Sequence, residues 1–314
     1  MILELGKQFR PSTSVVYPPF KKGRYMEEYF YEYFMKHEIK SDRVYIPIFW
    51  TNLQNHPGFS QQKHNYQRLL TNALTKMPRD TKYFTVVQHD DGPQLTMMGD
   101  VIIFGACTGT IPLPLIYEDT NNTLHNMLCN KSPITHSTYL ASFIGSNTHN
   151  IRTKMVTNMT KPDVFLSSQK VWTDNVPQNL SELFIEKTLE SKFCLAPRGY
   201  GRSSFRFFEA MLLNTIPVYF WDDIEWLPYK DILDYSAFSV SIQEKDIPTT
   251  YEILTSISDK KYASMLEELK KVRHYFTLEG MSEYVTQRIG ARNIPFLASV
   301  DGFGSAGITT GGLM

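Results

Sequence analysis

Residues 191–226, SKFCLAPRGYGRSSFRFFEAMLLNTIPVYFWDDIEW, predict a single strand–loop–helix–strand unit. Residues 193–196 are a short apolar run of the kind found in buried strands, and Pro197 ends that run. After the loop and the helix, residues 216–220 form a second apolar run, with Pro217 near its start. A strand, a helix and a second strand in this order are the repeating unit of a parallel α/β sheet.

The helix of this unit has signals at both ends. Ser203 or Ser204 can cap its N-terminus, and Asn214 is a suitable stop. Apolar residues recur at the spacing of one helical face, which predicts a stripe facing the core: Phe205, Phe208 and Leu212.

The loop before the helix, residues 198–202, contains two glycines and two arginines, and a third arginine, Arg206, follows on the first helical turn. A helix N-terminus presents free N–H groups and a partial positive charge, which suits a phosphate. Glu209 is able to bind the hydroxyls of a ribose, as an acidic residue does in dinucleotide-binding folds. The local pattern supports a second interpretation equally well: an ordinary β–α–β crossover whose basic loop is solvated and binds no ligand. Neither GxGxxG nor GxxxxGK[ST] is present.

The whole stretch resembles the signature of the exostosin-type glycosyltransferases, glycosyltransferase family 47. The matching elements are an SxFCLxPxG start, the helix segment 204–210 (SFRFFEA) and the IPV strand at 216–218 followed by an acidic residue. The similarity extends upstream to residues 141–146 with Arg152, and more weakly to residues 44–115. The shorter soluble form further resembles exostosin-like xylosyltransferases of chlorella viruses, which suggests xylose as a candidate sugar.

The composition sets limits on the class of protein. The chain has 314 residues, enough for two compact domains, with 42% hydrophobic residues and a formal net charge of +0. No basic excess indicates nucleic-acid or membrane-surface binding. Three cysteines cannot make a disulfide framework, and no CxxC motif suggests zinc. Without a signal-peptide pattern or an apolar span, the sequence predicts a soluble, cytoplasmic protein, whereas eukaryotic exostosins usually carry an N-terminal membrane anchor.

Strand and helix patterns alternate along both halves of the chain, as in doubly wound sheets. Together with the resemblance, they predict an α/β GT-B fold: two Rossmann-like doubly wound domains with a cleft between them. We expect an N-terminal acceptor-binding domain at residues 1–135, a C-terminal donor-binding domain at 136–300, and a flexible Gly-rich tail at 301–314. The last helix is expected to cross back to the first domain.

An acidic turn, His89-Asp90-Asp91, follows the strand pattern of residues 83–88. A sugar transfer with inversion needs a base near the acceptor hydroxyl, and the end of a strand in the first domain suits that role. A simple Asp-Gly-Pro turn explains the same residues. Once the resemblance is included, Asp91 is the first candidate for the base, followed by Asp90 and His89.

Other polar residues are candidates for binding the acceptor, the sugar or the donor because of their position in the pattern. Trp50 to Phe59 is interpreted as a loop, in which Asn52 and His56 could contact the acceptor. Asp222 and Asp223 follow the IPV strand and could either hold sugar hydroxyls or cap a turn. The predicted donor-binding residues are Arg152, Arg198, Gly199, Tyr200, Gly201, Ser203, Ser204, Arg206 and Glu209.

The resemblance implies an inverting glycosyltransferase that moves a sugar from a UDP-sugar to a glycan acceptor. The arginines would take the place of a metal ion, so neither a metal nor another cofactor is expected. Three alternatives remain: a catalytically inert exostosin-like partner, a nucleotide-dependent oxidoreductase, or a carbohydrate-binding protein that uses the aromatic residues between 25 and 34.

Overall fold

The computed structural model describes residues 1–12, 23–118, 137–173 and 176–290. Its strands form two parallel sheets. The strands are β1 (Val44–Tyr45), β2 (Lys82–Val87), β3 (Asp100–Gly105), β4 (Ile111–Pro112), β5 (Tyr139–Ser146), β6 (Val164–Gln169), β7 (Ser191–Pro197), β8 (Ile216–Trp221) and β9 (Val240–Gln243). The α-helices are α1 (Met26–Lys36), α2 (Trp50–Gln54), α3 (Phe59–Thr75), α4 (Asn150–Asn158), α5 (Gln178–Leu189), α6 (Phe205–Leu212), α7 (Thr250–Ser256), α8 (Asp259–Val272) and α9 (Leu278–Arg288).

The two sheets differ in strand order. In the first, β1, β2, β3 and β4 lie side by side in chain order, and in the second the order is β6-β5-β7-β8-β9. The second order reverses beside β5, and a crevice at the carboxyl ends of the strands is expected at such a point. The fold is thus the predicted α/β GT-B architecture with two Rossmann-like units. The predicted boundary at residue 135 and the tail at 301–314 fall outside the described residues.

The apolar residues of both units pack into a continuous core. Phe84 of the first sheet and Phe193 of the second belong to the same buried cluster. The predicted return of the chain to the first unit is confirmed, because α9 packs on α1 and the Ser41 hydroxyl donates to the Ile289 carbonyl at 2.8 Å.

Most of the aromatic residues of α1 are buried rather than displayed. Phe30 and Phe34 are buried and pack against Tyr45 and Phe84, whose rings stack at 5.0 Å. Their apolar area therefore stabilises the fold. This packing removes the main support for a carbohydrate-binding surface on this helix.

The strand–loop–helix–strand unit follows its prediction closely. Asn214 adopts a left-handed conformation with φ of 55°, as expected of a residue that ends a helix. Ser204 is the N-cap of α6 by its backbone, although its side chain makes no capping hydrogen bond. The core-facing stripe is shifted from the prediction: Phe207, Phe208 and Met211 are buried, whereas Phe205 and Leu212 are half-buried.

One local prediction was wrong. Residues 50–54 form helix α2 instead of a loop, since Trp50 and Leu53 are apolar residues one turn apart that are both fully buried.

Candidate functional site

A cavity of about 520 Å³ lies at the carboxyl ends of the strands, with walls from both units. That volume is in the range of small-ligand sites. Asp90 lines it from the first unit, and the ends of β5 and β7 and the start of α6 line it from the second. One side of the cavity is apolar and is formed by Val171, Trp172, Val176, Pro177, Leu180 and Phe184.

Most of the predicted donor-binding residues line this cavity. These are Arg152, Gly199, Tyr200, Gly201, Ser203, Ser204, Arg206 and Glu209. The sequence unit brings them together because the loop after β7 leads directly into the N-terminus of α6, where the partial positive charge of a helix is found. Arg198 is the predicted donor residue that does not line it.

Two hydroxyl groups in the cavity wall are buried and make no hydrogen bond. The Oγ atom of Ser204 and the Oγ1 atom of Thr148 have no partner among the described residues. A buried polar group without a partner is costly, so such groups commonly serve a bound ligand. Ser204 is also the residue from which α6 begins.

Arg206 packs closely against the end of β5. Its Nε donates to the Ile144 carbonyl, and its guanidinium lies 5.6 Å from the ring centre of Phe143 and 5.9 Å from that of Phe184. A Cβ on Gly145 would lie 2.5 Å from the Arg206 guanidinium, so a larger residue there would displace the arginine head from its present position. Burial disfavours the charged form of Arg206 and so lowers its pKa. A bound anion would offset this cost.

Glu209 is buried one turn further along α6 and faces the same cavity. Burial raises the pKa of its carboxyl. The Tyr117 hydroxyl donates to Glu209 Oε1 at 2.5 Å, so one carboxylate oxygen is already engaged. A ribose hydroxyl would bind to the other oxygen or compete with Tyr117.

Arg198 is bound by the acidic pair that follows β8. Its Nη1 donates to Asp222 Oδ1 at 2.5 Å and to Asp223 Oδ1 at 3.0 Å, while Arg202 Nε donates to Asp223 Oδ2 at 2.7 Å. These ion pairs give no support to a role of Arg198 at the diphosphate or of Asp222 and Asp223 at sugar hydroxyls, and Asp223 Oδ1 also accepts from the Ile224 N–H, as in the alternative of a capped turn. The four charges neutralise one another and hold the loop against the end of β8.

Arg152 is buried and holds the ends of two strands. Its Nη1 donates to the Ser146 carbonyl at 2.7 Å, its Nε to the Arg198 carbonyl at 2.9 Å, and its Nη2 to the Pro197 carbonyl at 3.4 Å. Arg152 therefore shapes the cavity wall, whether or not it also contacts a ligand.

The acidic turn lies across the cavity from α6. Asp90 lines the cavity, whereas His89 and Asp91 do not. Burial raises the pKa of Asp90 and lowers that of His89. The His89 ring accepts from the Asp91 backbone N–H at 3.2 Å, and Asp91 is exposed and hydrogen-bonded to the Tyr200 side chain.

The two predicted acceptor residues of the first unit do not lie at the cavity. Asn52 is buried in α2 and donates to the Pro11 carbonyl at 3.1 Å, which gives no support to its assignment to the acceptor. His56 is exposed after α2, and its Nδ1 accepts from the Gly58 backbone N–H.

Three residues that shape the site were not identified from the sequence: Cys107, Tyr117 and Trp172. Cys107 contacts Asp90, Tyr117 contacts Glu209, and Trp172 is 54% exposed beside the cavity. None belongs to a motif. Of the three, only Trp172 could have been suspected from the sequence, because a tryptophan beside polar residues often lies at a binding surface.

In the described part of the chain, no three His, Cys, Asp or Glu side chains are grouped as metal ligands. None of the described helices has the length and apolarity needed to cross a bilayer.

Part of the chain is similar to known glycosyltransferases. Residues 110–257 match the Exostosin GT47 domain. A probable glycosyltransferase of Arabidopsis thaliana is 30% identical over 164 residues, 52% of this chain and 33% of that protein. An Exostosin-1 homolog of Caenorhabditis elegans is 29% identical over 110 residues, 34% of this chain and 28% of that protein. The matches thus span about a third of these relatives or less.

Among solved structures, an α1,3-fucosyltransferase with GDP aligns at a TM-score of 0.38 and 12% identity, over 68% of this chain and 75% of that chain. WaaG, a glycosyltransferase involved in lipopolysaccharide biosynthesis, aligns at 0.34 and 12%, over 82% and 80%. Residues 110–257, just under half of the chain, are thus similar to the Exostosin GT47 domain.

Proposed function

We propose that this protein is an inverting glycosyltransferase that moves a sugar from a UDP-sugar to a hydroxyl of a glycan acceptor. The observation that carries the proposal is the cavity between the two units, which has a helix N-terminus and Arg206 on one side and the Asp90 carboxyl on the other. Xylose is the sugar that we propose to test first.

The diphosphate of the donor would bind at the N-terminus of α6. Ser203, Ser204 and Arg206 line the cavity there, and the unpartnered Ser204 hydroxyl is a suitable donor to a phosphate oxygen. Glu209 would bind the ribose hydroxyls deeper along the helix. In this arrangement the positive charge for the leaving diphosphate comes from the protein, and we propose that no metal ion is required.

Asp90 is proposed as the general base, in place of the first candidate, Asp91. Asp90 lines the cavity, and its raised pKa brings it closer to the pH at which a base works well. The carboxylate would take the proton of the acceptor hydroxyl while the oxygen of that hydroxyl attacks C1 of the sugar. The bond from C1 to the diphosphate then breaks, and UDP leaves with the bonding electrons.

A donor screen with purified protein tests this proposal. UDP-xylose, UDP-glucose, UDP-glucuronate, UDP-arabinose and GDP-fucose would be assayed for transfer and slow hydrolysis, and UDP for thermal stabilisation of the folded protein. We expect one UDP-sugar to be used and UDP to raise the Tm. If UDP raises the Tm but no donor is consumed, an inert exostosin-like partner is supported instead. If no nucleotide raises the Tm, the donor site itself is wrong.

The ribose assignment has its own variant. Glu209→Gln should reduce the UDP-dependent rise in Tm, while Glu252→Gln, an exposed position on α7, should not change it. An unchanged rise in Glu209→Gln would contradict the role of Glu209.

A further inference from the structure

The loop after β3 brings a buried thiol to the acidic turn. Cys107 is 1% exposed, and its Sγ donates to Asp90 Oδ1 at 3.1 Å. Burial and the neighbouring Asp90 carboxylate raise the pKa of the thiol well above its ordinary value, so it stays protonated and acts as the donor. Among the described residues, no hydrogen bond reaches Asp90 Oδ2.

The donor-binding loop closes over this pair from the other unit. A Cβ on Gly201 would lie 2.4 Å from Asp90 Oδ1 and 2.6 Å from Cys107 Sγ, so the glycine is required for this approach. The backbone of Ser203 also hydrogen-bonds to the sulfur. The thiol therefore lies between the acidic turn of the first unit and the phosphate-binding loop of the second.

We propose that Cys107 is a positioning residue for Asp90: its thiol holds Oδ1 against the Gly201 backbone and leaves Oδ2 to face the substrate. This inference rests on the proposed function, because it assigns the thiol a task only if Asp90 is the base. The Cys107 sulfur would then fix the position of the base relative to the donor loop, because it contacts both.

The charge balance around Asp90 gives the inference a measurable sign. Burial and the Asp91 carboxylate raise the Asp90 pKa, while the Cys107 hydrogen bond, His89 and Arg152 lower it. Removing the thiol should therefore raise the Asp90 pKa further. One hydrogen bond to a charged group corresponds to roughly one to two pKa units. Because a base acts when deprotonated, the acid limb of kcat/KM should move to higher pH by the same amount.

The test compares Cys107→Ala and Cys107→Ser with Cys194→Ala, which removes an equally buried thiol from β7. The Asp90 pKa is read directly from the ¹³C shift of its carboxyl, identified by its absence in Asp90→Asn. The kcat/KM pH profile is recorded in parallel. Because the shift is read without turnover, it reports on the thiol even if no donor is found.

We expect Cys107→Ala to raise the Asp90 pKa and to move the acid limb with it. Cys107→Ser keeps a donor and should lie nearer to wild type, and Cys194→Ala should match wild type in both measurements. An unchanged Asp90 pKa in Cys107→Ala would overturn the inference while leaving the proposed function standing. If the Asp90 pKa rises but the acid limb of the kcat/KM profile does not move, Asp90 is not the base, and the proposed role of Cys107 is overturned as well. If Cys107→Ala does not fold, the serine variant decides. Its C–O bond is shorter than the C–S bond and reaches Asp90 less well, so it should raise the Asp90 pKa and move the acid limb in the same direction, by less than the loss of the whole hydrogen bond. A wild-type value in either measurement, or in both, would then contradict the proposal.

Discussion

The two edges that face the cavity are each held by a buried ion, and the ions have opposite signs. At the edge of the first sheet, Glu27 is 1% exposed, and its Oε1 accepts from the backbone N–H groups of Thr51 and Gln88 and from the Thr51 hydroxyl. At the edge of the second sheet, Arg152 is 5% exposed and donates to backbone carbonyls at the ends of β5 and β7.

The difference follows from which backbone groups are left over. The first edge contains the start of α2, where N–H groups lack helical partners, and Gln88, which follows β2. The second edge contains two strand ends whose carbonyls point out of the sheet. A carboxylate satisfies the former and a guanidinium the latter, so each ion holds the edge of its own sheet.

The largest expected effect concerns Asp90, which lies in the turn after the edge that Glu27 holds. Asp90→Asn removes the proposed base and should lower kcat by about 10²- to 10⁴-fold, while UDP affinity stays near wild type because the nucleotide binds the other edge. Steady-state kinetics and calorimetry measure the two quantities. Asp91→Asn is the matched control, since Asp91 is exposed and lies outside the cavity. Normal kcat in Asp90→Asn with a loss in Asp91→Asn would return the role to Asp91.

Removing either buried ion should destabilise the fold. Glu27→Ala leaves two backbone N–H groups without their acceptor, and Arg152→Met removes a donor from each of three carbonyls, of which Ser146 keeps the Thr148 N–H. The expected cost is about 2–5 kcal/mol for each variant. Urea unfolding measures the loss. Glu252→Ala and Arg68→Met change exposed residues of the same types and should stay within about 0.5 kcal/mol. Equal stability of both buried-site variants and wild type would show that these ions do not hold the edges.

The pH dependence of stability separates the two ions. Burial raises the pKa of Glu27 in the folded protein, so its charged form costs more there than in the unfolded chain. Its stabilising contribution is present below the ordinary glutamate pKa of about 4.3 and is lost as pH rises through the folded pKa. Glutamine does not titrate. The free energy of unfolding of Glu27→Gln, relative to wild type, should therefore increase with pH. That of Arg152→Met should decrease with pH, because the charge that lowers the Asp90 pKa is gone. A flat difference for Glu27→Gln would mean that its pKa is not raised.

The sequence predicted those features that local patterns determine. The unit at residues 191–226 was predicted to within two residues at each strand because a proline, two glycines and a helical period lie inside a single short stretch. The turn after β2 was also correctly located. Those signals act between neighbours in the chain, which a sequence displays directly.

The pairing of charges was not predicted, because it depends on residues far apart in the sequence. Arg198 meets Asp222 across 24 positions, and Glu27 meets Gln88 across 61. A cluster of arginines has the same pattern whether its charges bind a phosphate or a carboxylate. Only the fold shows that Arg198 and Arg202 are neutralised while Arg206 faces the cavity.

The smallest expected effect concerns the source of positive charge at the second edge. With Arg198 and Arg202 paired to Asp222 and Asp223, the groups available to a diphosphate are Arg206 and the N-terminus of α6. If these suffice, transfer in excess EDTA should remain within a few-fold of the untreated rate, and added Mn²⁺ should not raise it further. Arg206→Met should then lower UDP affinity in calorimetry with or without Mn²⁺. Loss of transfer in EDTA that Mn²⁺ restores would contradict this, and would indicate that a carboxylate of the cleft, Asp90 or Asp222, binds a metal ion during the reaction.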